Sequence, residues 1–159
     1  MNEKSIMIKM VTNSWSIGSL RINKFLNEIS DKEMELTIVP NGNQVKWIIG
    51  HLAASNNTAL ETLGIAKVIN PILVDYYSKK QLPGHSPLSN DEIKDYWHKT
   101  LSLLNSGLEH FTAVDWFERH NSISPEDFTK EPHRNKLNVI LNRSVHLSHH
   151  FGQLSILVK

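Results

Sequence analysis

Three histidines near the end of the chain have a spacing that suggests chemistry. They lie in the segment HLSHHFGQ, as His146, His149 and His150. Residues four apart share one face of an α-helix, so the imidazoles of His146 and His150 can turn toward one point. In an arbitrary helix, such a pair more often belongs to a hydrated polar face than to a metal site. The pair alone therefore leaves both interpretations open.

His51 favours the metal site. It is flanked one helical turn away by Trp47 and Ser55, and by Ile48 and Ala54, so the surface around it is apolar or small. This pattern predicts that His51 points inward. An inward histidine on one helix and an inward pair on another offer three neutral nitrogens to one divalent ion. Three protein ligands leave one position for water or substrate, as in catalytic metal sites.

Several better-known sites lack their required residues. A zincin needs Glu directly after its first His, and here that residue is Leu147. A di-iron bundle needs Glu three residues before its histidines, where this chain has Arg143 and Ile48. The absence of cysteine excludes disulfides, thiolate ligands and a cysteine nucleophile. We expect the other five histidines to lie on the surface: His85, His98, His110, His120 and His133.

Length and composition indicate an ordinary globular protein. The 159 residues include 40% hydrophobic and 21% charged residues, and 17 basic against 16 acidic residues give a formal charge of +1. No basic cluster points to nucleic acid or to an anionic membrane as a partner. The N-terminal residues resemble neither a signal peptide nor a membrane span. We therefore expect one domain over residues 1–159 and a cytoplasmic location.

Apolar residues recur at spacings of three and four in four segments, which predict long helices. These segments cover about residues 8–29, 43–64, 89–111 and 137–159. No segment alternates with period two, and no internal repeat is present. The pattern predicts an all-α four-helix bundle, a fold that builds metal sites from side chains on facing helices.

Local signals suggest where the helices begin. Asn43 is a predicted N-cap of the second helix, and Ser89 with Glu92 forms a predicted capping box for the third. Ser124-Pro125 predicts a short helical turn, because Pro is tolerated at the first helical position. Residues 30–31 and 40–42 are predicted to end the first helix and form a loop.

The long connection over residues 64–88 is broken by prolines. Ile72 to Tyr77 is apolar enough for a short turn or helix. Connections of this length are more often functional than idle. We interpret the segment, with Tyr76, Tyr77 and His85, as a wall over the histidine site.

Two motifs together resemble the DinB/YfiT-like superfamily. The first is Pro40-Asn41-Gly42-Asn43 followed by Trp47-Ile48-Ile49-Gly50-His51-Leu52, and the second is the HLSHHFGQL segment that begins at His146. The stretch from Asp115-Trp116-Phe117 to Pro132 is similar to the family's linker before the last helix. The resemblance spans nearly the whole chain, in the same order.

The resemblance implies a four-helix bundle, often a homodimer, that binds a divalent metal through His51, His146 and His150. It favours zinc or nickel, with iron or manganese as alternatives, since imidazole suits several metals. Gln153 would orient a ligand or a bound water from the second shell, and His149 would lie in the second shell or on the surface. Many members have Arg where this chain has Phe151, so an anionic contact of that Arg does not transfer.

Members with known activity are, by resemblance, metal-dependent transferases or isomerases that use a small thiol such as bacillithiol or mycothiol. We therefore expect a transferase that adds an external low-molecular-weight thiol to an electrophilic small molecule. Two alternatives stay open. One is a metal-dependent hydrolase, although no Asp or Glu lies within a helical turn of the three histidines. The other is a non-catalytic metal-binding stress-response protein.

Overall fold

The computed structural model describes residues 2–40, 42–79 and 86–157. These residues form seven α-helices, two 3-10 turns and no β-strand, which confirms the all-α class. Four helices are long, with 26, 18, 20 and 19 residues, and three are short. The helices are α1 (Glu3–Glu28), α2 (Asp31–Met34), α3 (Val45–Thr62), α4 (Pro71–Ser78), α5 (Asn90–Glu109), α6 (Pro125–Lys130) and α7 (Lys136–Leu154).

The predicted caps of the later helices are confirmed. The Ser89 hydroxyl accepts the Glu92 N–H at 3.3 Å, while the Glu92 carboxylate accepts the Ser89 N–H at 2.8 Å. This reciprocal pair satisfies two amides that the first turn of α5 leaves free. Ser124 caps α6 without the reciprocal bond, because its hydroxyl accepts the Asp127 N–H at 3.0 Å, and Pro125 occupies the first position of α6. The apolar stretch that begins at Ile72 is helical, within α4.

Two local predictions differ from the structure. Gln44, not Asn43, is the residue before α3, because Gln44 forms an antiparallel bridge with Thr37 and Val45 donates to the Leu36 carbonyl at 3.0 Å. The loop predicted after α1 contains one helical turn, α2, which a capping box from Ser30 starts. Asn41 of the predicted loop and His85 of the predicted wall lie outside the described residues.

Helix α3 lies at the centre of the hydrophobic core. This helix packs on α5, α4 and α7, while α1 packs mainly on α7. The beginning of α3 lies beside the end of α7, since Ile48 and Gln153 line one cavity of about 360 Å³. The two helices are therefore antiparallel. None of the described helices is both long and apolar enough to cross a membrane.

Candidate metal centre

The two helices bring His51, His146 and His150 together. The Nε2 atom of His146 lies 3.0 Å from Nε2 of His51 and 3.1 Å from Nε2 of His150. All three rings offer a nitrogen within 4.8 Å of the others. His51 comes from the middle of α3 and the other two from successive turns of α7. Residues 95 positions apart in sequence thus form one cluster.

The spacing of these nitrogens suits a single small cation. Zinc binds imidazole nitrogen at about 2.0–2.1 Å in tetrahedral geometry, which separates two ligand nitrogens by about 3.3 Å. The observed 3.0 and 3.1 Å separations differ from that value by only a few tenths of an ångström. The three histidines could therefore hold a metal ion with little rearrangement, and three ligands would leave a coordination position open.

Hydrogen bonds at Nδ1 fix two of the three rings. Nδ1 of His51 lies 2.7 Å from the main-chain carbonyl of Tyr77, and Nδ1 of His150 lies 2.8 Å from the amide oxygen of Gln153. Oxygens of this kind only accept, so in both neutral rings the proton is on Nδ1 and the lone pair is on Nε2. Outer partners of this type orient metal-binding histidines and select their tautomer.

Close packing of α4 against α3 places the Tyr77 carbonyl beside His51. Gly50, next to His51 in the chain, has no Cβ, and an added Cβ would lie only 2.5 Å from Cζ of Tyr77. The Tyr77 side chain is fully buried at this contact. On the other side, the Trp47 ring stacks on His51 with centroids 5.1 Å apart and planes 8° apart. His51 is therefore held between an indole and a main-chain acceptor.

Burial lowers the pKa of all three imidazoles. It lowers the pKa of His146 to about 3 and that of His150 to about 4, and lowers the pKa of His51 as well. Charge on the neighbouring histidines disfavours a second proton in the same cluster. Desolvation disfavours the charged form because imidazolium loses hydration that the apolar surroundings do not replace. All three rings are consequently neutral at pH 7, the form that binds metal.

The cluster has a basic neighbour, and the two helices that carry it place no acidic residue beside it. Arg143 lies on α7 three residues before His146, and its charge helps lower the pKa of His51 and His146. No acidic residue occurs in α7, and the single one in α3 is Glu61, ten residues after His51. These two helices therefore supply no carboxylate that could act as a general base or as a further metal ligand beside the histidines.

The remaining predicted residues divide into two groups. Gln153 lies against a ligand candidate, whereas His149 is exposed, with its ring centroid 5.0 Å from that of His150. Of the histidines expected on the surface, three are exposed and His120 is half-buried. The exposed ones are His98, His110 and His133.

Sequence reasoning missed the roles of Gly50 and the Tyr77 carbonyl. The segment that contains Tyr77 was predicted to form a wall over the site, and the main-chain oxygen of Tyr77 makes the contact with His51. The one available signal was the Pro71 that opens an apolar helix between the two motifs. Every residue has a main-chain carbonyl, so the residue type at position 77 does not indicate that this carbonyl accepts a hydrogen bond.

Comparison with known proteins identifies the family of the chain. A search of curated proteins finds no match to the chain. A family profile described as the DinB superfamily matches residues 20–154, which include α3, α7 and all three clustered histidines. The match covers most of the 159 residues. The chain therefore belongs to the DinB superfamily.

Proposed function

We propose that this protein is a metal-dependent enzyme in which His51, His146 and His150 bind one divalent ion. The observation that carries the proposal is the convergence of three Nε2 atoms, with contacts of 3.0 and 3.1 Å, on two helices. Neutral imidazoles at neutral pH and an open coordination position support it. Zinc or nickel suits this donor set, as do iron and manganese.

The reaction we propose is transfer of a low-molecular-weight thiol to an electrophilic small molecule. A bound divalent ion would supply Lewis acidity, which lowers the pKa of a thiol at the open position from about 8.5 to below neutral. The chain's residues hold and orient the ligands. Tyr77 fixes the ring of His51 through its carbonyl, and Gln153 fixes the ring of His150.

The lack of a neighbouring carboxylate favours the thiol reaction over hydrolysis. A hydrolase of this type commonly uses Asp or Glu as a general base near the metal. Neither α3 nor α7 supplies one within two turns of the clustered histidines. A thiol is acidic enough that the metal alone can deprotonate it. The two alternatives are metal-dependent hydrolysis and a non-catalytic metal-binding role. They apply if the protein binds metal but does not accelerate thiol consumption in the experiments below.

Metal stoichiometry tests the site. We expect one divalent ion per chain in protein purified without an affinity tag, and large losses in His51→Ala, His146→Ala and His150→Ala. His149→Ala is the matched control, because it removes an exposed imidazole of the same helix. Unchanged metal content in all three ligand variants would refute the site. Loss in His149→Ala with retention in His150→Ala would show that the assignment on α7 is shifted.

Consumption of free thiol tests the reaction. Bacillithiol, glutathione and coenzyme A would each be incubated with a model electrophile and metal-loaded protein. We expect faster thiol loss with metal-loaded protein than with metal-free protein, and no acceleration with His146→Ala. If none of the three thiols is consumed faster, the binding-protein alternative replaces the transferase.

We also propose that the protein acts as a homodimer in the cytoplasm, on a small molecule and without nucleic acid. An exposed apolar face on α1 supports the dimer, because its four residues follow the spacing of one helix face. They are Ile6, Met10, Ile17 and Leu20. Sizing over a range of concentrations tests this, and a concentration-independent monomer would exclude the dimer.

A further inference from the structure

Arg143 is a half-buried cation without a counter-ion. No ion pair or hydrogen bond of its guanidinium occurs within residues 2–40, 42–79 and 86–157. The Arg134 guanidinium, by comparison, pairs with Glu131 at 3.1 Å on the surface. Burial lowers the pKa of Arg143, as expected of a desolvated charge. A buried charge that nothing neutralises is unfavourable, so such groups are usually paired or bind a ligand.

Its position relates this charge to the histidine cluster. Arg143 is three residues before His146 and seven before His150, so the three side chains share one face of α7. Three residues of α-helix rise about 4.5 Å. The positive charge of Arg143, together with the larger effect of burial, lowers the pKa of both His51 and His146, which agrees with this placement.

The charge balance of the site points to an anionic ligand. A divalent ion would add two positive charges to that of Arg143, while α7 contributes no acidic residue and α3 contributes only the distant Glu61. A thiolate would neutralise one of these three charges. If the same ligand carries a second anionic group about 4.5 Å from its sulfur, that group would reach the Arg143 guanidinium.

We propose that Arg143 binds a carboxylate of the thiol co-substrate, so that this site selects thiol carboxylates over neutral or cationic thiols. This inference rests on the proposed function of the three histidines. A carboxylate is favoured over a phosphate dianion because one guanidinium matches one carboxylate in charge and in bidentate geometry. No Lys lies in α7 beyond its first residue, Lys136, to neutralise a second charge.

Two thiols of equal size isolate this contact. 3-Mercaptopropionate and 3-mercaptopropionamide differ only in the charge of the group distal to sulfur. Cobalt-loaded protein would be titrated with each, and the thiolate-to-cobalt absorption band would report the dissociation constant without any turnover. We expect the carboxylate to bind at least about tenfold more tightly, as a charge-assisted hydrogen bond implies. 2-Mercaptoethylphosphonate is a third arm, and tighter binding of it than of the carboxylate would refute the preference for carboxylate.

Variants then assign the preference to Arg143. Arg143→Gln should bind cobalt with unchanged stoichiometry and bind the two thiols with nearly equal affinity. Arg143→Lys should keep part of the preference, because it retains the charge and loses the bidentate fork. Arg21→Gln is the matched control. Arg21 is an exposed cation of α1, and its guanidinium lies 5.9 Å from the ring centroid of Phe151 in α7. Arg21→Gln should keep the full preference.

The outcomes separate the two proposals. Equal affinity of wild-type cobalt protein for the carboxylate and the amide would overturn the role of Arg143 and leave the metal site intact. A preference that persists in Arg143→Gln would also overturn it, whatever the result for Arg21→Gln. If wild-type protein binds no cobalt, or if cobalt binding survives in His51→Ala and His146→Ala, the proposed function itself fails and this inference fails with it.

Discussion

Replacing Gly50 with alanine tests how the contact between α3 and α4 holds His51. The added Cβ would lie 2.5 Å from Cζ and 2.7 Å from Cδ1 of Tyr77, where ordinary contacts begin at about 3.4 Å. The Tyr77 ring is fully buried and cannot swing into solvent. Either α4 moves away by about 1 Å or α3 deforms. In both cases the Tyr77 carbonyl, now 2.7 Å from His51 Nδ1, is displaced.

Gly152→Ala is the control that separates the steric clash at Gly50 from the general effect of replacing glycine with alanine in a helix. Ala is favoured over Gly in a helix by about 1 kcal/mol. Both glycines lie in helices, but a Cβ added at Gly152 would meet nothing within 4 Å apart from its chain neighbours and the adjacent backbone of its own helix. Gly152→Ala should therefore raise the free energy of unfolding by up to about 1 kcal/mol. Overpacking a core costs about 1–3 kcal/mol, so Gly50→Ala should be less stable than Gly152→Ala by roughly that amount.

The assay is urea unfolding of the metal-free variants, followed by competition titration of zinc against a chelator. With a urea m-value of about 1–3 kcal/mol/M, a 1 kcal/mol difference shifts the urea midpoint by roughly 0.3–1 M. We expect Gly50→Ala to bind zinc at least about tenfold more weakly, the usual effect of losing a partner that orients a ligand. The reasoning is refuted if Gly50→Ala is as stable as Gly152→Ala and its zinc affinity equals that of the wild type.

Three further predictions concern other parts of the structure. Gln153→Ala should weaken zinc binding about tenfold in the same competition titration, because it leaves Nδ1 of His150 without its acceptor. Metal-free protein should be most stable above pH 6.5 and lose stability as the pH falls, since the folded-state pKa values of about 3 for His146 and about 4 for His150 lie below the unfolded value of 6.5. By pH 5 each ring should account for up to about 2 kcal/mol of lost unfolding free energy, and a flat urea-midpoint profile between pH 8 and 5 would contradict this. Asn57→Ala should lower the urea-unfolding free energy by about 2 kcal/mol, because the buried Asn57 side chain bonds both the N–H and the carbonyl of Ile69.

Local signals predicted the helices well and their junctions poorly. The capping box of Ser89 and Glu92 depends only on residues three apart, so sequence alone suffices to find it. The start of α3 depends instead on the bridge between Thr37 and Gln44, which forms when the chain folds back on itself. Asn43 has the better capping side chain, yet this tertiary contact displaces it from the capping position.

The same division applies to the candidate site. The i, i+4 spacing of His146 and His150 predicted their shared face, and the apolar neighbours of His51 predicted that it points inward. The family resemblance supplied their joint role. The acceptor for His51 could not be predicted, because a carbonyl is present in every residue. Its placement depends on the fit of the Tyr77 ring against Gly50, a contact across 27 positions that no local pattern encodes.

The number of protons in the cluster explains how three imidazoles can lie this close together without a cation between them. His51 and His150 both carry their proton on Nδ1, so each presents a lone pair at Nε2. Both lone pairs face Nε2 of His146, at 3.0 and 3.1 Å. Contacts this short are favourable only if His146 carries its proton on Nε2 and donates it to one neighbour. One shared proton therefore lies between the three Nε2 atoms, where a bound cation would lie. Binding of a cation by all three Nε2 atoms would require His146 to adopt its Nδ1-protonated tautomer. The rings of His51 and His150 would keep the orientation that the Tyr77 carbonyl and Gln153 give them.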